Sequence, residues 1–342
     1  MNINKIFKFI IAGIIAFIFL NILCIFYYIN PNSIPTTSGV TDFSWEQSAY
    51  YSIMIEGYGH GKMNNEGYNN LQNYYNQPIE ILLMGSSHME AFQIPQNKST
   101  AAVLNELFNN SKYVYNIGIS EHDFSHIINN LEAAVQFYKP SEYVILEIPK
   151  LEFDIPAMEQ GINSNLTKLS SHDSKLISLL KKIPYLYKIP YLRLIKLQYQ
   201  YYKDNSGNND FIEKKDTNMN NDIYSQTIKA VIMKLSRVAN EYNIKIILLY
   251  HSPFRINFDG SIFDTTNINL LSLYTNLCAE NNILFLNMTD KFKEEYETSH
   301  ISPYGFLNTA INEGHLNRFG HQMIANELFK HIYLLEKEGI NK

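Results

Sequence analysis

A serine hydroxyl group follows the first strong predicted strand of the chain, in Gly85-Ser86-Ser87-His88. The preceding residues, Ile79 to Met84, read IEILLM, which is typical of a buried strand. Parallel α/β sheets bind ligands beyond the carboxyl ends of their strands, and Gly85 allows a tight turn there. If a helix begins at Ser87, its N–H groups can stabilise an oxyanion. Ser87 is therefore a candidate nucleophile, although Gly-Ser-Ser also occurs in ordinary loops and helix caps.

A histidine near the other end of the chain is the candidate base. His315 lies in Glu313-Gly314-His315-Leu316-Asn317, just before a C-terminal helical pattern. Imidazole exchanges protons near neutral pH, and a carboxylate commonly orients it. We therefore predict that Glu313 orients His315. A surface histidine in a polar loop is the alternative for this motif taken alone.

A third motif, Asn116-Ile117-Gly118-Ile119-Ser120, follows the second predicted strand. A glycine at this place lets its backbone N–H approach a reacting carbonyl oxygen. Gly118 and Asn116 are the candidate oxyanion or binding residues. An ordinary turn glycine would give the same pattern.

In this order along the chain, the three motifs resemble the SGNH, or GDSL, hydrolase superfamily over roughly residues 79 to 335. The most specific string is GHLNxxGHxxIA, from Gly314 to Ala325. The resemblance implies that Ser87 is the nucleophile and His315 the base. It also implies that the N–H groups of Ser87 and Gly118 are the oxyanion donors.

The chain departs from the family pattern in two places. The family usually has aspartate two or three residues before the histidine, where this chain has Glu313 and Asn312. The family's GxND block would fall after the strand Tyr143 to Ile148, where the chain reads LEIPKLEF and has no asparagine. This departure resembles a membrane-anchored branch that works in cell-envelope acylation. That branch includes alginate-type O-acetylation proteins and the D-alanyl transfer protein of teichoic acids.

Short apolar strands alternate with amphipathic helices, which predicts a three-layer α/β/α fold with a mostly parallel sheet of the SGNH or flavodoxin-like kind. The predicted strands span residues 79–84, 113–117, 143–148, 244–250 and 283–287, and the predicted helices 101–108, 124–137, 224–242, 268–280 and 318–336. These elements define a catalytic domain over residues 79–338.

An apolar run from Phe9 to Tyr28 precedes that domain, and about 20 helical residues are enough to cross a bilayer. Lys5 and Lys8 lie before it, so the positive-inside rule predicts a cytoplasmic N-terminus and an extracytoplasmic domain on the cell membrane. A cleaved signal peptide and a lipoprotein signal are the alternatives, but neither cleavage pattern is present. Residues 1–30 are thus the predicted single-pass anchor. Residues 31–78 are predicted to be a linker, which the prolines and small polar residues of 30–37 indicate, followed by a surface lead-in over residues 40–78.

Residues 153–222 interrupt the α/β alternation with a basic, aromatic, helix-like insertion. Lys181, Lys182, Lys188 and Arg193 lie among leucine, isoleucine and tyrosine in this segment. Such a pattern suits a membrane surface or a membrane partner. A helical insertion that packs on its own domain, with solvated lysines, is the alternative.

The composition excludes some functions. A net charge of -5 argues against nucleic-acid binding. Cys24 lies inside the apolar N-terminal run and Cys278 in a distant predicted helix, so we expect neither a disulfide nor a metal cluster of paired cysteines. We expect no metal and no soluble cofactor.

The leading hypothesis is transfer of an acyl group, most plausibly acetyl, through Ser87 to a secreted or cell-wall polysaccharide of a bacterial cell envelope. Because acetyl-coenzyme A is cytoplasmic, a membrane-bound O-acyltransferase partner would supply the acyl group. The first alternative is an esterase or deacetylase that acts on an acylated glycan or lipid. The second is a non-catalytic scaffold in the same complex.

Overall fold

The computed structural model describes residues 3–36, 40–41, 43–109, 111–163, 189–191, 195, 221–257, 260–263 and 266–340. Within these ranges the helices are α1 (Ile3–Tyr27), α2 (Ser87–Glu90), α3 (Thr100–Leu107), α4 (Phe124–Tyr138), α5 (Ile155–Asn163), α6 (Asn221–Tyr242), α7 (Ile268–Glu280), α8 (Met288–Ser299) and α9 (Arg318–Ile340). The strands are β1 (Tyr28–Ile29), β2 (Ser33–Ile34), β3 (Ser44–Trp45), β4 (Tyr50–Ile53), β5 (Gly59–Lys62), β6 (Ile81–Met84), β7 (Val114–Asn116), β8 (Tyr143–Ile148), β9 (Lys245–Tyr250), β10 (Arg255–Ile256), β11 (Ile262–Phe263), β12 (Leu284–Asn287), β13 (Tyr304–Gly305) and β14 (Ile311–Leu316).

Five parallel strands form the central sheet, in the order β7-β6-β8-β9-β12. Every residue of β6 and β8 is buried, because helices cover both faces of the sheet. Helices α4 to α7 pack on one face. Helices α3, α8 and α9 pack on the other. The predicted three-layer α/β/α fold is confirmed.

The sequence located the sheet strands well and missed elements with little apolar periodicity. The predicted strand 143–148 coincides with β8, and the predicted helix 268–280 coincides with α7. Helix α8 was not predicted, since it is rich in charged residues and buries only Met288, Thr289 and Phe292. The antiparallel pair β13–β14 was also not predicted.

The residues before the sheet are more ordered than the sequence suggested. The stretch 30–37 was predicted to be a linker, but β2 within it pairs with β3. Directly before it, β1 pairs with β4 and joins the sheet β1-β4-β5. Backbone pairing therefore ties the chain to the domain immediately after α1.

Helix α1 is long and apolar enough to cross a membrane. Its 25 residues span about 38 Å, against a hydrocarbon core of about 30 Å. The apolar side chains along it are mostly exposed, as expected for a surface that meets lipid.

Only part of the predicted insertion falls within the described residues. Helix α5 lies within its first part, and α6 begins at its end. Lys181, Lys182, Lys188 and Arg193 lie outside the described residues. The membrane-surface and self-packing interpretations of this segment therefore both remain predictions.

Candidate active site

Ser87 is the first residue of α2, directly beyond the carboxyl end of β6. Ser86 caps this helix, because its Oγ accepts a hydrogen bond from the His88 N–H at 3.3 Å. The helix therefore begins where the sequence placed it. Within the described chain no acceptor is bonded to the N–H of Ser87. This N–H is available to stabilise negative charge near the Ser87 hydroxyl.

His315 brings its ring to Ser87 from β14, 228 residues further along the chain. The distance from His315 Nε2 to Ser87 Oγ is 2.9 Å. On the other side of the ring, Nδ1 lies 2.8 Å from Glu56 Oε2. A carboxylate only accepts hydrogen bonds, so Nδ1 carries the proton and Nε2 is free to accept the Ser87 proton. The three side chains form the nucleophile, base and orienter arrangement.

Glu56, and not Glu313, is the acid that meets His315. Its Oε1 also accepts the backbone N–H of His315 at 2.9 Å, so both carboxylate oxygens hold the same residue. The Glu313 side chain is exposed instead. On a regular strand, residues two apart share a face, but the left-handed backbone of Gly314 (φ +75) breaks this alternation between Glu313 and His315. The prediction of Glu313 as the orienter is corrected to Glu56.

The electrostatics of Glu56 agree with this contact. Burial acts to raise the pKa of its carboxyl group, but the hydrogen bonds and charge of His315 outweigh burial and leave that pKa below its usual value. Glu56 is therefore ionised at neutral pH. The close contact between the Glu56 carboxylate and β14 also depends on Gly314, which has φ +75, because a Cβ there would lie 2.3 Å from Glu56 Oε1.

A loop near the C-terminus holds the turn that carries Glu56. Asn308 Oδ1 accepts the Gly57 N–H at 3.0 Å. Its Nδ2 donates to the carbonyl oxygens of Met54 and Gly57 at 2.9 and 3.0 Å. One side chain thus fixes the backbone on both sides of Glu56.

His88, the residue after Ser87, makes a second contact between α2 and β14. Its Nδ1 accepts the backbone N–H of Leu316 at 3.2 Å, so the residue after Ser87 holds the residue after His315. The His88 ring lies between those of His251 and His315, with centroids 4.9 and 5.1 Å away. Burial, and after it the electrostatic influence of the neighbouring histidines, lowers the pKa of His88 well below its usual value. A neutral ring is what this acceptor role requires.

A buried chain of polar groups lies behind the nucleophile. The Tyr304 hydroxyl lies 2.5 Å from His251 Nδ1, and His251 Nε2 lies 2.8 Å from Glu147 Oε1. Glu147 Oε2 accepts the Ser86 N–H at 2.7 Å. Glu147 and His251 have no exposed side-chain surface. His251 directly follows β9, and Glu147 lies at the end of β8, near the place where the family pattern has asparagine.

The two predicted oxyanion residues lie beside α2, but they bond to the protein itself. The Gly118 N–H donates to Asn116 Oδ1 at 2.9 Å. Asn116 Nδ2 donates to the Met89 carbonyl at 2.8 Å. The structure therefore places both residues next to the nucleophilic helix without leaving either group free. Their assignment as oxyanion donors stays a prediction.

Another carboxyl group near the site is fully enclosed. Glu90, at the end of α2, contacts the Trp45 indole N–H through one oxygen and the Ser120 hydroxyl through the other. Burial raises its pKa to about 7, although the hydrogen bonds from Ser120 and Trp45 act to lower it. Glu90 carries its proton through much of the neutral range.

Glu56 was missed because the sequence offered little to find it. It is a single acid in a glycine-rich stretch, Glu56-Gly57-Tyr58-Gly59, in the region interpreted as a surface lead-in.

Among the described residues, no group of three or more histidine, cysteine, aspartate or glutamate side chains has a geometry suited to a metal ion.

No family model and no curated protein matches the sequence. Solved structures do resemble the fold. An acetyl xylan esterase is 12% identical with a TM-score of 0.43, and the match covers 74% of this chain and 100% of that one. The psychrotrophic esterase EstA from a Pseudoalteromonas species is 14% identical with a TM-score of 0.39, covering 77% and 98%. A member of the lipolytic G-D-S-L family from Veillonella parvula is 12% identical with a TM-score of 0.40, covering 74% and 97%. Similarity at this level assigns neither a family nor a substrate to this chain.

Proposed function

We propose that this protein is a serine enzyme that forms and breaks carboxylic esters. The observation that carries the proposal is the continuous contact from Ser87 Oγ through His315 to the Glu56 carboxylate. A non-catalytic scaffold, the third reading of the sequence, has no need of this alignment.

The geometry supports a two-step reaction. Ser87 Oγ attacks the acyl carbonyl carbon while His315 Nε2 takes its proton, and the carbonyl oxygen becomes an oxyanion near the Ser87 N–H. The bond to the leaving oxygen then breaks, and that oxygen receives the proton from His315. An acyl group remains on Ser87. Glu56 stabilises the imidazolium that forms between these steps.

The molecule that receives the acyl group in the second step decides between transfer and hydrolysis. A hydroxyl group loses its proton to His315, attacks the acyl carbon and releases Ser87. With a sugar hydroxyl as acceptor, the enzyme O-acetylates a secreted or cell-wall polysaccharide. We propose this transfer as the physiological reaction. The apolar helix α1 favours a site of action on the membrane, where a membrane-bound O-acyltransferase would present the acyl group.

Hydrolysis by the same residues is the second candidate. The side chains of His315 and Glu56 are each 26% exposed, so water reaches the base. An esterase or deacetylase uses water as the acceptor in the second step.

The central test is turnover of 4-nitrophenyl acetate by the full-length protein and by Ser87→Ala. We expect Ser87→Ala to lose at least about 10³-fold in kcat, because no other group replaces the nucleophile. Ser225→Ala, at an exposed serine on α6, is the matched control and should keep full activity. Activity retained by Ser87→Ala, with an unchanged melting temperature in both variants, would refute the assignment.

Transfer and hydrolysis are then separated by their products. Adding an oligosaccharide to the same assay gives acetylated sugar if transfer occurs, and free acetate alone if it does not. Mass spectrometry of the sugar measures the ratio of the two.

A further inference from the structure

The end of the apolar helix is bonded directly to the hairpin that carries Glu56. Tyr28, the first residue after α1, pairs with Ile53 of β4. The Tyr27 carbonyl accepts the Met54 N–H at 2.9 Å, and the Phe26 carbonyl accepts the Ser52 hydroxyl at 2.8 Å. No free linker separates the helix from this hairpin.

The hairpin is in turn fixed to the catalytic domain. Tyr51 and Ile53 of β4 lie in a small core with Met63 and Phe92. The rings of Tyr51 and Phe92 stack with centroids 4.5 Å apart, and Phe92 follows α2 closely. The helix, the Glu56 turn and the nucleophilic helix are therefore held together by packing as well as by hydrogen bonds.

These contacts set the height of the site above a bilayer. Glu56 is three residues beyond Ile53, which is at most about 11 Å of extended chain. With neighbouring strands about 5 Å apart, Glu56 lies within roughly 15 Å of the end of α1. A helix of about 38 Å centred in a 30 Å core ends within the headgroup layer. A domain of about 260 residues is about 45 Å across, so Glu56 lies in its membrane-proximal part.

We propose that the active site faces the membrane surface and that its ester substrate is borne by a lipid. This inference rests on the proposed function and on insertion of α1 in a bilayer. In the acylation step, the bond between the acyl carbon and the lipid oxygen breaks and the Ser87 Oγ–acyl bond forms. The proton from Ser87 passes through His315 to the lipid alcohol that leaves. Water or a sugar hydroxyl then takes the acyl group.

The test compares two acetyl esters in phosphatidylcholine vesicles that hold the full-length protein. One is water-soluble 4-nitrophenyl acetate, and the other is the membrane-resident lipid 1,2-dioleoyl-3-acetylglycerol. The variant contains about 20 residues of a helical EAAAK repeat between Leu23 and Cys24, which lifts the domain by about 30 Å and keeps the bonds from Phe26 and Tyr27 to the hairpin. The control variant has the same insertion between Asn281 and Asn282, in the loop between α7 and β12 at the opposite edge of the sheet.

We expect the lifted variant to release acetate from the lipid ester at least about ten-fold more slowly than the wild type, and to hydrolyse the soluble ester at nearly the wild-type rate. The control insertion should change neither rate. Unchanged rates on both esters in the lifted variant would overturn the proposal and indicate a soluble substrate. An equal loss on both esters would also overturn it, since the helix would then only position Glu56. A wild type inactive on both esters would refute the proposed function itself.

Discussion

At the scale of single residues, the identity of the acid is the clearest departure from the sequence prediction. Glu313 is two residues from His315 in the chain, yet its side chain is exposed. Glu56 is 259 residues away and bonds to both the ring and the backbone N–H of His315. Proximity in sequence was a poor guide because the left-handed backbone of Gly314, between the two residues, breaks the alternation that puts residues two apart on one face of a strand.

Two conservative substitutions separate these acids. We expect Glu56→Gln to lower kcat for 4-nitrophenyl acetate by on the order of 10³- to 10⁴-fold, because an amide no longer holds the reactive tautomer of His315. Glu313→Gln, at an exposed position, should leave kcat within about two-fold. Steady-state kinetics on both variants decide the matter. The reverse ranking would restore Glu313 as the orienter.

At the scale of elements, the site depends on pieces of chain that lie outside the central sheet. The turn between β4 and β5 provides Glu56, and β14 provides His315. Asn308 joins the first of these to the loop between β13 and β14. The central sheet positions α2, with Ser87, beyond the end of β6, and it carries the buried carboxylate of Glu147 behind that helix. Catalytic geometry is therefore sensitive to contacts far from the main core.

Removing the Asn308 side chain should loosen the Glu56 turn without unfolding the sheet. For Asn308→Ala we expect kcat to fall about ten-fold or more, since small displacements of catalytic groups cost up to about 10²-fold. KM should change little. Asn257→Ala removes a side-chain hydrogen bond in an exposed loop and is the control. If the two variants have equal kcat values, Asn308 does not position the site.

At the scale of the whole molecule, a buried carboxyl group links stability to pH. The folded-state pKa of Glu90 is about 7, against about 4.3 in an unfolded chain. Between these values the folded protein holds a proton that the unfolded chain releases. Below about pH 4.3 both states hold this proton, so burying Glu90 carries no ionisation cost. As the pH rises towards 7, the unfolded chain loses the proton first, and the free energy of unfolding falls. The total cost, reached above pH 7, is about 4 kcal/mol.

Glu90→Gln should remove this dependence, because glutamine is neutral at every pH and can bond to the same partners. We expect the free energy of unfolding of Glu90→Gln, relative to wild type, to rise by up to about 3 kcal/mol from pH 4.5 to pH 8. Denaturant titration of the full-length protein in detergent measures the difference. Trp45, the single tryptophan, gives a local signal through its contact with Glu90. A difference that does not vary with pH would contradict the pKa assigned to Glu90.

The sequence by itself determined the parallel sheet and singled out Ser87 and His315 as the pair that the structure brings together. Buried strands must be apolar throughout and amphipathic helices must cover them, so both patterns can be recognised along the chain. The turn from β6 into α2 can likewise be recognised, because Gly85 permits a tight turn and Ser86 can cap a helix. The apolar length of α1 follows from composition alone.

Only the tertiary structure decided which acid meets His315 and how α1 joins the domain. Glu56 lies in a short hairpin without apolar periodicity, and its contact with β14 closes a loop of more than two hundred residues. The residues after α1 resemble a linker, because two-residue strands leave no periodic signal. Their pairing with β4 depends on partners that no local pattern identifies. Contacts between distant segments are set by packing in three dimensions. The acid nearest to His315 in sequence is therefore only one of many acids that could meet it.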